Sequence, residues 1–369
     1  MVSIQPSARL HASPFYEAAL ADGMVAATVY NSMLLPTSYG DREAEYWRII
    51  EGVSMWDVAV ERQVQLRGPD AARLAQMVAA RDLSKCAVGQ GKYVAMCDRR
   101  GTLLNDPILL KLAEDTFWLS IADSDMWLWC RAIAAERGLD VEVSDPGVAP
   151  LAVQGPKGED VVAAIFGDWV RELRYFWFSE TQIEGIPVAV QRSGWSKQGG
   201  FEIYLRDAAH GTRLWNIVKE AGRPFGIGPG SPTTAERTES GLVSCGGDTD
   251  DTTNPFEVRM GRFLDLDVPD DTIGIEALRR VKEEGPARHQ LGIVLDDGGT
   301  SRASPGYAWE RIEVDGRDVG AMTHAVWSPR MKANIGFALV ASEIGPGTHV
   351  TVRRADGPVE ARLCELPFL

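Results

Sequence analysis

The spacing of apolar and polar positions predicts a chain that alternates short strands with helices. Residues 62–68 alternate polar and apolar side chains, which is the period of a half-buried strand. Segments 117–122, 141–143, 149–154, 173–178, 181–184, 187–193 and 200–205 are read as strands in the same way. Helical spacing predicts helices over 69–79, 125–138, 157–166, 210–222, 233–242 and 274–283. In the first of these, Pro69 suits the opening turn and Ala72, Leu74 and Met77 recur on one face. Residues 43–58 read as a helix running into a strand, and Pro36 is expected to end any regular element after the apolar stretch 24–29. A hairpin is expected from 93–97 and 103–112 around a turn at 98–101. From Arg288 onward the chain is strand-rich, with turn signals at 296–299, Asp315-Gly316 and Asp356-Gly357. That tail predicts a small antiparallel barrel or sandwich.

Composition narrows the function classes. The chain has 369 residues, enough for two or three domains, with 45% hydrophobic and 24% charged residues. A net charge of −14 disfavours nucleic acid and anionic membranes as partners, though not a local basic pocket. Five cysteines with no CxxC pair argue against a disulfide framework or structural zinc site, and for a reducing, cytoplasmic compartment. No secretory h-region and no apolar run of membrane-spanning length occur. A phosphate loop, an HExxH pair and a GxSxG elbow are all absent, and the five histidines are scattered, so no metal is expected.

Three places carry candidate chemistry. Along 192–204, a loop with three glycines separates two strands, and strand period puts Glu202 and Tyr204 on one face, opposite Phe201 and Ile203. Glu202 is a candidate ligand-binding carboxylate; a solvated edge-strand glutamate is the plainer reading. Asp106 falls in the otherwise apolar stretch 103–112, where an acid costs free energy unless it is paired or used. A turn-region aspartate is the plainer alternative there. The aromatic run Tyr175-Phe176-Trp177-Phe178 and Trp195 could wall a cationic ligand, or simply pack in a core.

These pieces, in order, resemble the glycine-cleavage T-protein superfamily. The resemblance rests on Gly101–Asp106, Leu151-Ala152-Val153-Gln154-Gly155-Pro156, Arg192–Tyr204, Ala235–Leu242, Asn254-Pro255-Phe256-Glu257, Val319–Thr323 and Ser328–Gly336. Within it, Tyr30–Thr37, Leu104-Asn105-Asp106-Pro107, Trp118–Asp125 and Ser196–Glu202 look like the dimethylsulfoniopropionate demethylase branch. Lys197-Gln198 replaces the Gly-Glu of ordinary T-proteins, and Ser32 stands where that branch carries histidine.

The resemblance implies an α+β fold, a three-domain cloverleaf with a C-terminal antiparallel barrel. Its domains would be 1–55 plus 146–265 (folate-binding core), 56–145, and 266–369 (barrel). It implies tetrahydrofolate as co-substrate, held by Glu202, Tyr204 and Gln154, with Arg237 anchoring the folate carboxylate. Asp106 would act at the reacting centre. Asn31, Ser32, Met33, Ser120, Trp177 and Trp195 would hold a small-molecule methyl donor. No nucleic acid, membrane or metal partner is implied, and a homodimer is allowed. The implied reaction is methyl transfer from a sulfonium to N5 of tetrahydrofolate. The alternatives are aminomethyl or N-methyl transfer from a betaine, dimethylglycine or the glycine-cleavage carrier, a folate-binding role in iron–sulfur assembly, and a relic without folate.

Overall fold

The computed structural model describes residues 7–298 and 309–369. The chain divides into two compact units. The first comprises Met1–Ala75, Ser84–Tyr93 and Pro107–Thr233, and the second Gln76–Leu83, Val94–Asp106 and Thr234–Leu369.

Two large sheets and a two-stranded hairpin build the first unit. A six-stranded sheet runs in the order Phe178–Ile183, Ile186–Gln191, Gly200–Leu205, Ala149–Gln154, Ser54–Asp57, Gly228–Gly230. Strand period sends Leu151, Val153, Phe201, Ile203 and Leu205 to one face. There they form a core with Val161 and Val162 of the helix Gly158–Phe166 and with Leu214, Trp215 and Val218 of the helix Gly211–Gly222. A five-stranded sheet runs Glu142–Ser144, Gln63–Arg67, Thr116–Ser120, Ile108–Ala113, Gly91–Tyr93. Its Leu110 and Trp118 pack with Phe178, Ala189 and Tyr204 from the other face of the six-stranded sheet. Alternate residues of Gly200–Leu205 thus serve two different cores.

The second unit holds a closed barrel of Arg288–Leu295, Ala333–Ala341, Arg317–Ser328, Glu310–Val314, His349–Arg354 and Gly357–Cys364. Closure removes the exposed strand edges that an open sandwich would keep. Gly336 is required where two strands meet, because a Cβ there would stand 2.0 Å from the His324 carbonyl oxygen. The expected turn at Asp315-Gly316 is present, with positive φ at both residues. The one expected at 296–299 extends past Gly298, outside the described residues.

Four sequence expectations change. Pro36 does not end a regular element: it lies inside the strand Met33–Ser38, opposite Ala27 of Ala26–Tyr30. His11 bridges this two-stranded hairpin at Met33, Pro36 lies beyond that bridge, and a bulge at Ala26/Ala27 lies beside the proline, which is where a missing N–H is tolerated. The hairpin expected from 93–97 and 103–112 is split: Met96–Cys97 pairs with Leu103–Asn105, whereas Gly91–Tyr93 pairs with Ile108–Leu110. Asp106 therefore sits in a break between strands, set by Pro107, rather than inside one. Finally, 173–178 is not a strand. A short 3-10 turn ends at Glu172, and Phe176 takes φ +63°, so the aromatic run does not alternate across a sheet.

Asp57 ends a strand whose four residues are all buried. Burial pushes its carboxyl from 3.8 up to about 6, against hydrogen bonds donated by the Ser13 hydroxyl and the Ala59 N–H. Below about pH 4 both folded and unfolded chains hold this proton. Between there and about pH 6 only the folded chain does, so stability falls as pH rises, by roughly 3 kcal/mol in all. Asp57→Asn is expected to remove that loss. The stability of the variant relative to wild type, from urea unfolding at pH 4 and pH 7.5, then increases with pH.

Candidate active site

The site begins with the register of one strand. Glu202 lies opposite Gln191 on one side and Ala152 on the other, on a strand with neighbours at both edges. It is 5% exposed, so it is not a solvated edge glutamate. Its face also carries Tyr204, as the alternation predicts. The Tyr204 hydroxyl lies 2.8 Å from Glu202 Oε2 and 3.0 Å from Gln191 Oε1. The Ser193 hydroxyl lies 2.5 Å from the same Glu202 oxygen and 3.0 Å from Gln191 Oε1. Burial pushes the Glu202 carboxyl above the usual range, and the Ser193 and Tyr204 hydrogen bonds offset only part of that. Burial, followed by the charge of Glu202, holds the Tyr204 phenol well above its ordinary value, so it stays a donor. Both hydroxyls serve Oε2. Oε1 is the oxygen left for N–H groups of a ligand.

Gln154 fixes the glycine loop beside this face. Its Nε2 donates to the carbonyls of Ser193 (3.0 Å) and Phe201 (3.3 Å), while its Oε1 accepts from the Ser196 hydroxyl (2.8 Å). The amide is thus occupied by the loop itself, and Gln154 shapes the site rather than presenting a group to it. The loop glycines are there to let it in. A Cβ on Gly194 (φ +143°) would lie 2.0 Å from Gln154 Nε2, and one on Gly200 (φ +150°) 2.6 Å from it. Gly199 (φ +81°) has nothing within 4 Å. Gly194→Ala is expected to cost about 3 kcal/mol through strain and the displaced amide, against about 1 kcal/mol for Gly199→Ala. Thermal melts of both variants check this ordering.

Ser120 ends the strand Thr116–Ser120, two residues after Trp118 and so on the same face. Its hydroxyl accepts from Gln63 Nε2 at 3.0 Å. One segment further on, the turn Asn31-Ser32 has positive φ at both positions, as a two-residue hairpin turn requires. Asn31 Nδ2 donates to the carbonyls of Val60 (2.9 Å) and Ala122 (3.2 Å), and its Oδ1 accepts from the Ser124 N–H (3.1 Å). Asn31 therefore ties the hairpin to the loop after Ser120; Ser32 is exposed and Met33 half-buried. Trp195 is half-buried on the glycine loop. The Trp177 ring already carries the Arg174 guanidinium, 4.2 Å from its centroid.

Asp106 and Arg237 belong to the second unit. Asp106 is half-buried, and its charge contributes, after burial, to holding the Cys245 thiol above its usual range. Arg237 is buried in the helix Thr234–Glu239 and bonds Asp248 Oδ2 at 2.6 Å. Burial opposes ionisation of Asp248, but Arg237 and His324 outweigh it and hold that carboxyl below its usual range. Thr323 adds a hydrogen bond of 2.7 Å to Asp248. Arg237 thus has an internal carboxylate partner.

Within the first unit, then, Glu202 and Tyr204 are joined by a direct hydrogen bond, Gln154 holds the glycine loop beside them, Ser120 is bonded by Gln63, and Asn31 acts at one remove. Sequence reasoning missed Gln63, Gln191 and Ser193. Gln63 and Gln191 are polar residues at buried strand positions, a usable signal, whereas nothing local marks Ser193.

A six-stranded sheet with a buried carboxylate, followed by a closed six-stranded barrel, defines a T-protein fold. A solved structure of the glycine cleavage system aminomethyltransferase T from Bartonella henselae has this fold, with a TM-score of 0.85, 98% of each chain covered and 21% identity. Residues 15–268 match the GCVT N-terminal domain, and 288–369 the glycine cleavage T-protein C-terminal barrel domain. The chain belongs to the glycine cleavage T-protein family. Among relatives, it is 42% identical to the dimethylsulfoniopropionate demethylase of Ruegeria pomeroyi, over 98% of this chain and 99% of that one. It is 32% identical to the aminomethyltransferase of Symbiobacterium thermophilum, over 97% of each. Among the described residues, no helix is long and apolar enough to cross a membrane, and no cluster of three metal-ligating side chains occurs.

Proposed function

We propose that this protein is a tetrahydrofolate-dependent demethylase. It moves a methyl group from the sulfonium of dimethylsulfoniopropionate to N5 of tetrahydrofolate, giving methylmercaptopropionate and 5-methyltetrahydrofolate. The observation that carries this reading is 42% identity to the Ruegeria pomeroyi demethylase along nearly the whole of both chains. The protein is a one-carbon transferase with small-molecule substrates. We also assign it to the cytoplasm, consistent with five free cysteines, and divide it into the three domains set out from the sequence.

The residues fit folate: Glu202 is a buried carboxylate with Oε1 turned from its protein partners, which suits the amino and ring N–H groups of a pterin. N5 of tetrahydrofolate supplies the nucleophile, and its proton leaves as the methyl group arrives. The sulfonium is already activated, so the protein has chiefly to align donor and acceptor. Glu202 fixes the acceptor's rotation, and Tyr204 holds Glu202. Ser120 donates to the carboxylate of the donor. Trp195 faces the cation, and Trp177, with Arg174 on one face, would serve only by its other face. Ser32 and Met33 border the donor pocket, with Asn31 holding their turn. Asp106 orients the donor or takes the N5 proton. Arg237 would anchor the folate tail while its Nη1 stays paired with Asp248.

The test is incubation with tetrahydrofolate and, separately, dimethylsulfoniopropionate, glycine betaine and dimethylglycine, with 5-methyltetrahydrofolate followed by mass. Product from dimethylsulfoniopropionate alone is expected. Product only from an amine donor would reassign the pocket to the N-methyl alternative.

A further inference from the structure

Four oxygens on one face of the six-stranded sheet close a ring in which two hydroxyl protons have two alternative destinations. Gln191 is fully buried and lies directly opposite Glu202 on the paired strand. Its Nε2 donates to the Phe176 carbonyl oxygen at 3.2 Å. That oxygen only accepts, so the amide cannot be flipped without setting two oxygens against each other. Gln191 Oε1 therefore faces the other way, 3.0 Å from the Ser193 hydroxyl and 3.0 Å from the Tyr204 hydroxyl. The same two hydroxyls lie 2.5 and 2.8 Å from Glu202 Oε2. Gly91 leaves room for the amide, since a Cβ there would stand 2.5 Å from Gln191 Nε2. Ser193 and Tyr204 are buried as well, so their two protons are settled between Gln191 and Glu202.

We propose that Gln191 is a positioning residue for Glu202: it is the second acceptor on which the Ser193 and Tyr204 protons rest while Glu202 is neutral, and which they leave for Glu202 Oε2 when a ligand brings N–H groups to Glu202 Oε1. This rests on the functional reading above, in which that ligand is the pterin edge of tetrahydrofolate. An ionised Glu202 draws both protons to Oε2 and leaves Gln191 Oε1 beside two hydroxyl oxygens with no proton between them. A Glu202 protonated on Oε2 donates to Ser193 Oγ instead, and both hydroxyls then turn to Gln191. In this neutral state every donor has an acceptor, whereas without Gln191 the Ser193 proton would be buried with none. Gln191 thus favours the neutral acid, in the same direction as burial and against the two hydroxyls. The titratable groups that feel Glu202 are the phenols of Tyr175 and Tyr204, both held above their ordinary value by burial and then by its charge, and Glu61 acts on Tyr204. Neither phenol ionises where Glu202 titrates. When the pterin binds, the two hydroxyls swing to Oε2 and the Glu202 proton leaves for solvent.

The test reads the Glu202 titration directly, by carbon NMR of protein labelled at its glutamate side-chain carboxyls, with the Glu202 signal assigned by its loss in Glu202→Gln. In Gln191→Met, with similar volume and no strong acceptor, the midpoint is expected to fall by about one pH unit, the worth of one or two hydrogen bonds lost to the neutral form. In Ser193→Ala, which removes a donor to the ionised form and keeps Gln191, the midpoint is expected to rise. A loosened core that admitted water would lower both, so opposite signs separate the acceptor role from a merely structural one. The Kd of tetrahydrofolate, followed by calorimetry against pH, should show the same displacement: the gain in affinity with rising pH moves to lower pH in Gln191→Met. Gln191→Leu carries the test if the methionine variant does not fold. An unchanged or raised midpoint in a folded Gln191 variant, or a midpoint lowered in Ser193→Ala as well, overturns the inference. Failure of wild type to bind tetrahydrofolate, with the midpoints moving as expected, overturns instead the functional reading that names the ligand.

Discussion

Glu202→Gln is expected to lower kcat/KM for methyl transfer by about 10²-fold or more, mainly through weaker tetrahydrofolate binding. Glutamine keeps the shape but removes the charge that strengthens each N–H contact by roughly 1.5–3 kcal/mol. Two such contacts to a pterin edge set the size of the effect. Stability should not fall, because the ionised carboxylate is itself penalised by burial at this site. A melting temperature at or above that of wild type, with a raised Kd, separates lost recognition from unfolding. The pH dependence gives a second check. Recognition requires the ionised form, so wild-type affinity should rise as pH climbs through the raised pKa of Glu202. The glutamine variant should lack that rise. Unchanged affinity in Glu202→Gln would remove Glu202 from the folate site.

Asp106→Asn is expected to reduce kcat by about 10²-fold or more, the usual scale for a group that handles a proton or orients the reacting atoms. Tetrahydrofolate affinity should be nearly unchanged, since recognition of the pterin edge is assigned to Glu202. Steady-state kinetics with a direct Kd measurement test this division. A variant that loses affinity and keeps kcat would move Asp106 from chemistry to binding. Integrity can be followed at Cys245, whose thiol is held high chiefly by burial and secondarily by Asp106. It should stay slow to react with thiol reagents in a folded variant.

Where a pattern is local, the sequence is a good guide. The alternation in Gly200–Leu205 places Glu202 and Tyr204 together, because side chains on a strand reverse with every residue. Asp315-Gly316 gives its turn, because both positions need positive φ and these residues tolerate it. The hairpin Ala26–Ser38 was less legible: Asn31-Ser32 is a weak turn signal and Pro36 reads as a stop. Edge position, which relaxes the objection to Pro36, is a property of the assembled sheet. The aromatic run 175–178 failed for a similar reason. Its β propensity is overridden at Phe176, whose N–H bonds the Arg192 carbonyl and whose carbonyl accepts from Gly91 and Gln191.

The sequence by itself determined the family, the strand face that carries Glu202 and Tyr204, the glycine loop, and the barrel-forming tail. These follow from motifs and from periods of two or 3.6 residues, which need only near neighbours. Tertiary structure alone decided what those side chains do with their hydrogen bonds. It brought Gln63 to Ser120 across 57 positions and Gln154 to Ser196 across 42, buried Glu202 in a central strand, and committed Arg237 to Asp248. The physical reason is that burial and pairing set the cost and the charge state of a polar group. Both depend on strands that meet only when the sheets assemble.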